Sequence, residues 1–246
     1  MTADITALVI TAVSLGVVHT ALGPDHYLPF AAMARAGGWS MRKTMVITVL
    51  CGLGHVASSI VIGLVGLALG TMLVRLEMLE QFRGGLAGWL LIGFGLAYFS
   101  WGIVRAVRHR PHEHLHMHAD GTIHSHVHVH EGDHLHVHES EEEGDASVGG
   151  TNLAVMTPWL LFIIFVFGPC EPLIPLLIYP AAEANTFAVL VVVLAFSLAT
   201  LATMSVVVGL MTIGLHAVSL SRLHRYSHAL AGFAVLACGI LVKLGL

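Results

Sequence analysis

The sequence predicts an all-α integral membrane protein of six transmembrane helices, arranged as two inverted three-helix repeats. Three observations predict it. Of the 246 residues, 56% are hydrophobic and only 11% charged, whereas soluble domains carry about 25% charged residues. Six apolar stretches approach or exceed the roughly 20 helical residues that cross a hydrocarbon core. The two halves also resemble each other at a nearly constant offset. Barrel strands alternate apolar and polar residues over about ten positions; these runs are longer and apolar on all sides, which favours helices.

The spans read as Ile5–Leu22, Met45–Leu73, Leu86–Val107, Leu153–Tyr179, Phe187–Leu215 and Ala229–Leu244. Span one follows Met1-Thr-Ala-Asp4 with no basic residue and no small-residue cleavage site, so it is expected to be a retained helix and not a signal peptide. Arg35, Arg42 and Lys43 follow span one, Arg105, Arg108 and Arg110 follow span three, and Arg222 and Arg225 follow span five. That is eight basic residues on one side against Arg75, Arg83 and Lys243 on the other, which puts both termini outside a bacterial inner membrane. Cys51, Cys170 and Cys238 all fall inside spans, so no disulfide framework is expected. Three units follow: residues 1–107, a cytoplasmic histidine-rich loop over 108–152, and residues 153–246.

Gly23-Pro24-Asp25-His26-Tyr27-Leu28 aligns with Gly168-Pro169-Cys170-Glu171-Pro172-Leu173, and Leu86-Ala87-Gly88-Trp89 with Leu230-Ala231-Gly232-Phe233, at offsets of 145 and 144 residues. Gly95 and Gly239 follow in register. Three spans per half make the halves enter the membrane with opposite orientation. Proline removes a backbone donor and clashes with the preceding turn, so spans one and four should kink or break at Gly-Pro. Irregular backbone is tolerated at membrane depth only where it is buried in protein or lines a cavity. The polar residues after each break would then sit beside that cavity.

An isolated charge within a span costs about 3 kcal/mol or more, so Asp25, His26, His55, Cys170 and Glu171 call for partners or a charged substrate. Imidazole, carboxylate and thiolate are ligands for divalent Ni, Co, Zn and Fe, and no Arg or Lys is expected beside them to suit an anion. His19 and His26 are two helical turns apart, and Cys51 and His55 share a face of span two. Ser58 and Ser59 follow His55 as candidate supporting acceptors. Plainer roles stand beside these: His19 or His55 hydrogen-bonding a carbonyl, Cys51 and Cys238 as small core residues, and His216, His224 and His228 as interfacial anchors.

His19-Thr-Ala-Leu-Gly-Pro-Asp25-His26, followed by Leu53-Gly54-His55, resembles the nickel/cobalt transporter (NicO/NiCoT-type) superfamily. Members of that family carry a His, a short spacer and Asp-His in one helix, then Leu-Gly-His in the next. Phe167-Gly168-Pro169-Cys170-Glu171 occupies the place of the family's later acidic motif. The resemblance implies binding of Ni(II) or Co(II) through His19, Asp25, His26 and His55. Five residues separate His19 from Asp25 where the best-known permeases have four, and Pro-Cys-Glu-Pro replaces their Asp-Thr-Ala-Thr-Glu. The chain is more similar to bacterial urease-accessory-like or efflux branches, which vary in substrate and direction.

Twelve of the eighteen histidines lie between His109 and His138, followed by an acidic run, Glu139 to Asp145. His112, His114, His116 and His118, then His124, His126, His128 and His130, then His134, His136 and His138 occur at every second position. That period puts the histidines on one face of a strand, and Asp120-Gly121 is a hairpin-turn signal. The pattern admits a small three-stranded sheet or a segment without fixed structure. Metal capture is the natural use of so many imidazoles in either form.

Together these features lead to the expectation of a secondary transporter of a divalent metal cation, with nickel or cobalt as cargo, zinc or iron(II) admissible, and no permanent cofactor. Proton coupling through Glu171 or His26 fits, because protonation opposes metal binding. The chain carries no nucleotide-binding motif, and no enzymatic activity and no nucleic-acid partner are expected. The long cytosolic histidine loop tilts the direction toward efflux. A metal-storing or metal-delivering accessory protein and a thiol–disulfide carrier are the alternatives. Metal cation, lipid bilayer, a second copy of the chain and a metalloenzyme-assembly protein are the partners considered.

Overall fold

The computed structural model describes residues 2–70, 73–108, 112–117, 123–128, 151–170, 172–182, 185–217 and 224–245. Its body is helical: α1 Thr2–Leu22, α2 Leu28–Ala36, α3 Met41–Ala68, α4 Leu73–Arg108, α5 Thr151–Phe167, α6 Leu173–Ala182, α7 Thr186–Ala217 and α8 Ser227–Leu244. Among the described residues, five helical stretches are long and apolar enough to cross a membrane: Ile5–Leu22, Met41–Ala68, Val74–Arg108, Thr186–Leu215 and Ser227–Leu244. Their outward faces are apolar, with Leu22, Phe82, Trp89, Phe187, Leu198 and Leu210 all well exposed. An apolar surface of that extent marks a membrane-embedded protein.

The expected fourth span, Leu153–Tyr179, is not one helix. It divides into α5, whose apolar part is Thr157–Phe167, and α6, with Gly168–Pro172 between them. Span one also ends at a Gly-Pro: α1 stops at Leu22, a single 3-10 turn covers Pro24–His26, and α2 follows. The cause is the same in both. Gly23 N–H closes the last turn of α1 onto His19 O at 3.0 Å, and Gly168 N–H bonds Phe165 O at 3.0 Å. The next residue is proline, which has no N–H to continue the ladder.

The third helix also differs from expectation. α4 begins at Leu73, not Leu86, because Glu80 and Arg83 lie one turn apart and neutralise each other inside the helix. At 36 residues it is about 54 Å long and outreaches a bilayer. The start of α3 is set by Ser40, whose hydroxyl accepts the Lys43 N–H at 3.3 Å. α8 ends at Gly245, whose φ of 81° is left-handed. None of the three cysteines forms a disulfide.

Helix neighbours come in matching sets. α1 lies along α7 as α5 lies along α3; α2 packs on α7 and α8 as α6 packs on α3 and α4; α3 also meets α7, and α4 runs along α8. The α4–α8 seam is built on glycine, as membrane helices require when packing and not hydrophobicity drives association. Gly95 faces Leu236 and Gly239 faces Ile92; Gly88 faces Val242 and Lys243, while Gly232 faces Phe99. Adding 144 to 95, 92, 88 and 99 gives 239, 236, 232 and 243, so each contact recurs with its partners exchanged. Among the described residues the core forms two clusters. Phe30, Met33, Cys51, Phe165, Met204 and Val235 belong to one, and Ala12, Val56, Cys170, Leu173 and Phe196 to the other.

In the loop, His112–Met117 (β1) and Ile123–His128 (β2) pair antiparallel. His112 faces His128, His114 faces His126 and His116 faces His124 across the ladder. The expected turn at Asp120-Gly121, the third strand His134–His138, and His118 and His130 lie outside the described residues.

A Cβ on Gly232 would collide with the α4 backbone at Phe99, whereas one on Gly93 meets nothing within 4 Å. Gly232→Leu should therefore destabilise the purified protein by about 1–3 kcal/mol or more, read as a lower unfolding temperature in detergent, with Gly93→Leu unchanged.

Candidate metal centre

Three of the predicted residues converge. His19 sits in the last turn of α1, His26 in the 3-10 turn of the first break, and His55 near the middle of α3, fourteen residues from Met41 and thirteen from Ala68. Ring centroids are 4.7 Å apart for His19 and His26, 5.1 Å for His26 and His55, and 6.3 Å for His19 and His55. One ligand atom from each lies within 4.8 Å of the others. Nitrogens on one cation at about 2.1 Å lie roughly 3–4 Å apart, so small ring rotations complete a three-imidazole shell.

The orientation of the rings suits a ligand set. His26 Nδ1 faces only acceptors, Gly23 O at 3.2 Å and Asp25 Oδ1 at 3.1 Å, so it carries the hydrogen and donates. His55 Nδ1 donates to Phe165 O at 3.4 Å. In a neutral imidazole the other nitrogen is then a bare acceptor. The Nε2 atoms of His19, His26 and His55 are all buried without a hydrogen-bond partner. A buried unsatisfied polar atom costs about 1–3 kcal/mol, and three together in one place call for a ligand. The wall is apolar: Phe165 lies 6.2 Å from His55 and 6.5 Å from His26, ring to ring, and meets Phe30 edge to face at 4.6 Å.

Asp25, expected as a direct ligand, lies outside the convergent group. Its carboxylate holds His26 Nδ1, the carboxylate–imidazole pairing that orients metal-binding histidines. Cys170 also lies outside it: the side chain is fully buried in the α6 cluster with Leu173 and Phe196. Cys51 packs in the other cluster with Phe30 and Met33, the plainer of its two readings. Glu171 is outside the described residues. His228 bonds the Tyr98 hydroxyl at 2.8 Å between the Tyr98 and Trp101 rings, away from the cluster. The side chains of His216 and His224 are outside the described residues.

Two features go beyond the sequence reading. Cys238, taken as a core residue, directs its thiol to Pro24 O at 3.8 Å, at the first break. Arg83, counted as a loop charge, is buried beside the second break with Glu80. It corrects the expectation that no Arg or Lys comes near. The signal for it was a Glu and an Arg one turn apart just ahead of an apolar run.

No family model, no curated protein and no solved structure matches the chain. The functional reading therefore rests on its own residues.

Both glycines ahead of the prolines leave room for an imidazole. A Cβ on Gly23 would lie 2.5 Å from His26 Nδ1 and 2.8 Å from Asp25 Oδ1; one on Gly168 would lie 3.0 Å from His55 Nδ1. Gly23→Ala is expected to weaken cobalt binding at the three-histidine cluster by about 10–100-fold, as loss of a ring-orienting contact does. Gly209→Ala, which meets nothing within 4 Å, should leave it unchanged in the same titration of the purified protein.

Proposed function

We propose that this protein is a secondary transporter of a divalent first-row transition-metal cation, nickel or cobalt foremost, working in a bacterial inner membrane. The observation that carries the reading is the convergence of three buried Nε2 atoms near mid-length of a membrane-crossing helix. Neutral imidazoles suit Ni, Co, Cu, Zn and Fe(II), and a three-histidine shell keeps positions open for water. An open shell lets the ion leave again, which a carrier needs and a closed structural site does not.

The exchanged contacts between α4 and α8, and the matched breaks, support an architecture of two inverted repeats. The cation would bind where the first break meets α3, and one repeat would rock against the other. Protons compete with metal for the same lone pairs, so acidification weakens binding and gives proton coupling its chemical basis. With Arg83 buried, the charge asymmetry is eight against Arg75 and Lys243, which supports outside termini and a cytoplasmic histidine loop. The paired histidines of β1 and β2 then gather ions on the cytosolic side, in keeping with efflux. A thiol–disulfide carrier would need Cys51 and Cys170 together, but they belong to different apolar clusters.

In proteoliposomes loaded with a cobalt-sensitive dye, His26→Ala and His55→Ala should each reduce flux at least tenfold, while removal of residues 112–138 should leave flux in place. Equal flux with and without the two imidazoles sinks this reading. Loss of all function on removing the loop alone would favour metal storage instead.

A further inference from the structure

A buried ion pair lies outside the histidine cluster. Glu80 and Arg83, one turn apart on α4, are 1% and 7% exposed. Arg83 Nη1 donates to the Glu80 carboxylate and to Ser59 Oγ at 3.3 Å. Its Nη2 donates to Ser58 Oγ at 2.6 Å, Val166 O at 2.7 Å and Gly168 O at 3.2 Å. Glu80 Oε2 accepts the Ser59 hydroxyl at 3.3 Å and the Cys170 N–H at 3.1 Å. Backbone groups at the second Gly-Pro break thus find their partners on α4. At the first break the carbonyls are met by the Cys238 thiol and His26 Nδ1, and His26 pairs with the neighbouring Asp25 carboxylate.

The same pair reaches His55 by two short routes. Ser58, which accepts from Arg83, donates its hydroxyl to His55 O at 2.7 Å. Val166, whose carbonyl Arg83 binds, follows Phe165, whose carbonyl takes the His55 Nδ1 hydrogen. The backbone turn beneath the imidazole and the acceptor that sets its ring are therefore anchored to one guanidinium. Stability alone accounts poorly for such a pair, because buried ion pairs often exchange for apolar residues without loss. A guanidinium is also a poor neighbour for a cation site unless a carboxylate neutralises it, which Glu80 does.

We propose that Glu80 and Arg83 are positioning residues for the metal site: they tie the Val166–Cys170 break to the Ser58–Ser59 turn and thereby aim His55 at His19 and His26. The inference rests on the transport reading above. Replacing one partner leaves an uncompensated buried charge, so the informative variant removes both, Glu80→Gln with Arg83→Met, at nearly constant volume. Cobalt flux in proteoliposomes should show a half-saturating concentration raised about tenfold or more, with maximal rate changed far less and unfolding temperature close to wild type. Ser58→Ala, which cuts one route and keeps the ion pair, should raise it about fivefold, the size of one hydrogen bond. Wild-type half-saturation in the folded double variant overturns the proposal. If the double variant does not fold, Ser58→Ala decides alone, and an unchanged half-saturation there overturns it equally. Absent wild-type flux, or flux that His55→Ala leaves intact, overturns the site reading and the pair's role with it. Flux abolished by His55→Ala but untouched in the other variants overturns the pair's role only.

Discussion

Backbone groups inside an apolar bundle have no water to turn to, so every donor or acceptor freed by a broken helix must be met by protein. The two Gly-Pro sequences free such groups at the ends of α1 and α5. How they are met shapes everything nearby. His26 covers the first break by donating Nδ1 to Gly23 O, and His55 reaches the second by donating to Phe165 O. Each ring spends Nδ1 on a carbonyl and so presents Nε2 as a lone pair. The face that could hold a metal ion is a by-product of satisfying the breaks.

The two Gly-Pro breaks match in backbone hydrogen bonding but not in chemistry. α4 and α8 exchange equivalent glycine contacts, and both breaks keep glycine where an imidazole lies against the chain. Yet both imidazoles of the break motif side, His19 and His26, come from the first half, and His55 reaches across to the second break. Cys170 turns into an apolar cluster, and its N–H is taken by Glu80.

The helical body was legible because hydrophobic length is a strong signal, and the breaks were legible because proline acts locally. His19, His26 and His55 stand out in the sequence as ionisable residues in apolar runs, and the structure brings the three together. What escaped the sequence depends on tertiary contact. Whether Asp25 binds metal or orients His26 is a matter of side-chain direction; its Oδ1 lies on Nδ1. The start of α4 was missed because charges ordinarily end an apolar run, and only the fold shows Glu80 and Arg83 facing each other and the second break. Cys238 reads as a small core residue and carries no sign in the sequence that its thiol meets Pro24 O.

The central claim is that one cation takes three imidazole nitrogens from His19, His26 and His55. X-ray absorption at the cobalt edge tests it most directly, on cobalt-loaded protein whose loop histidines from His112 to His138 are changed to serine so that they contribute nothing. The account predicts about three imidazole nitrogens at roughly 2.0–2.1 Å, with one fewer in His55→Ala. Bound cobalt without imidazole scattering, or a spectrum that His55→Ala leaves unaltered, would contradict it.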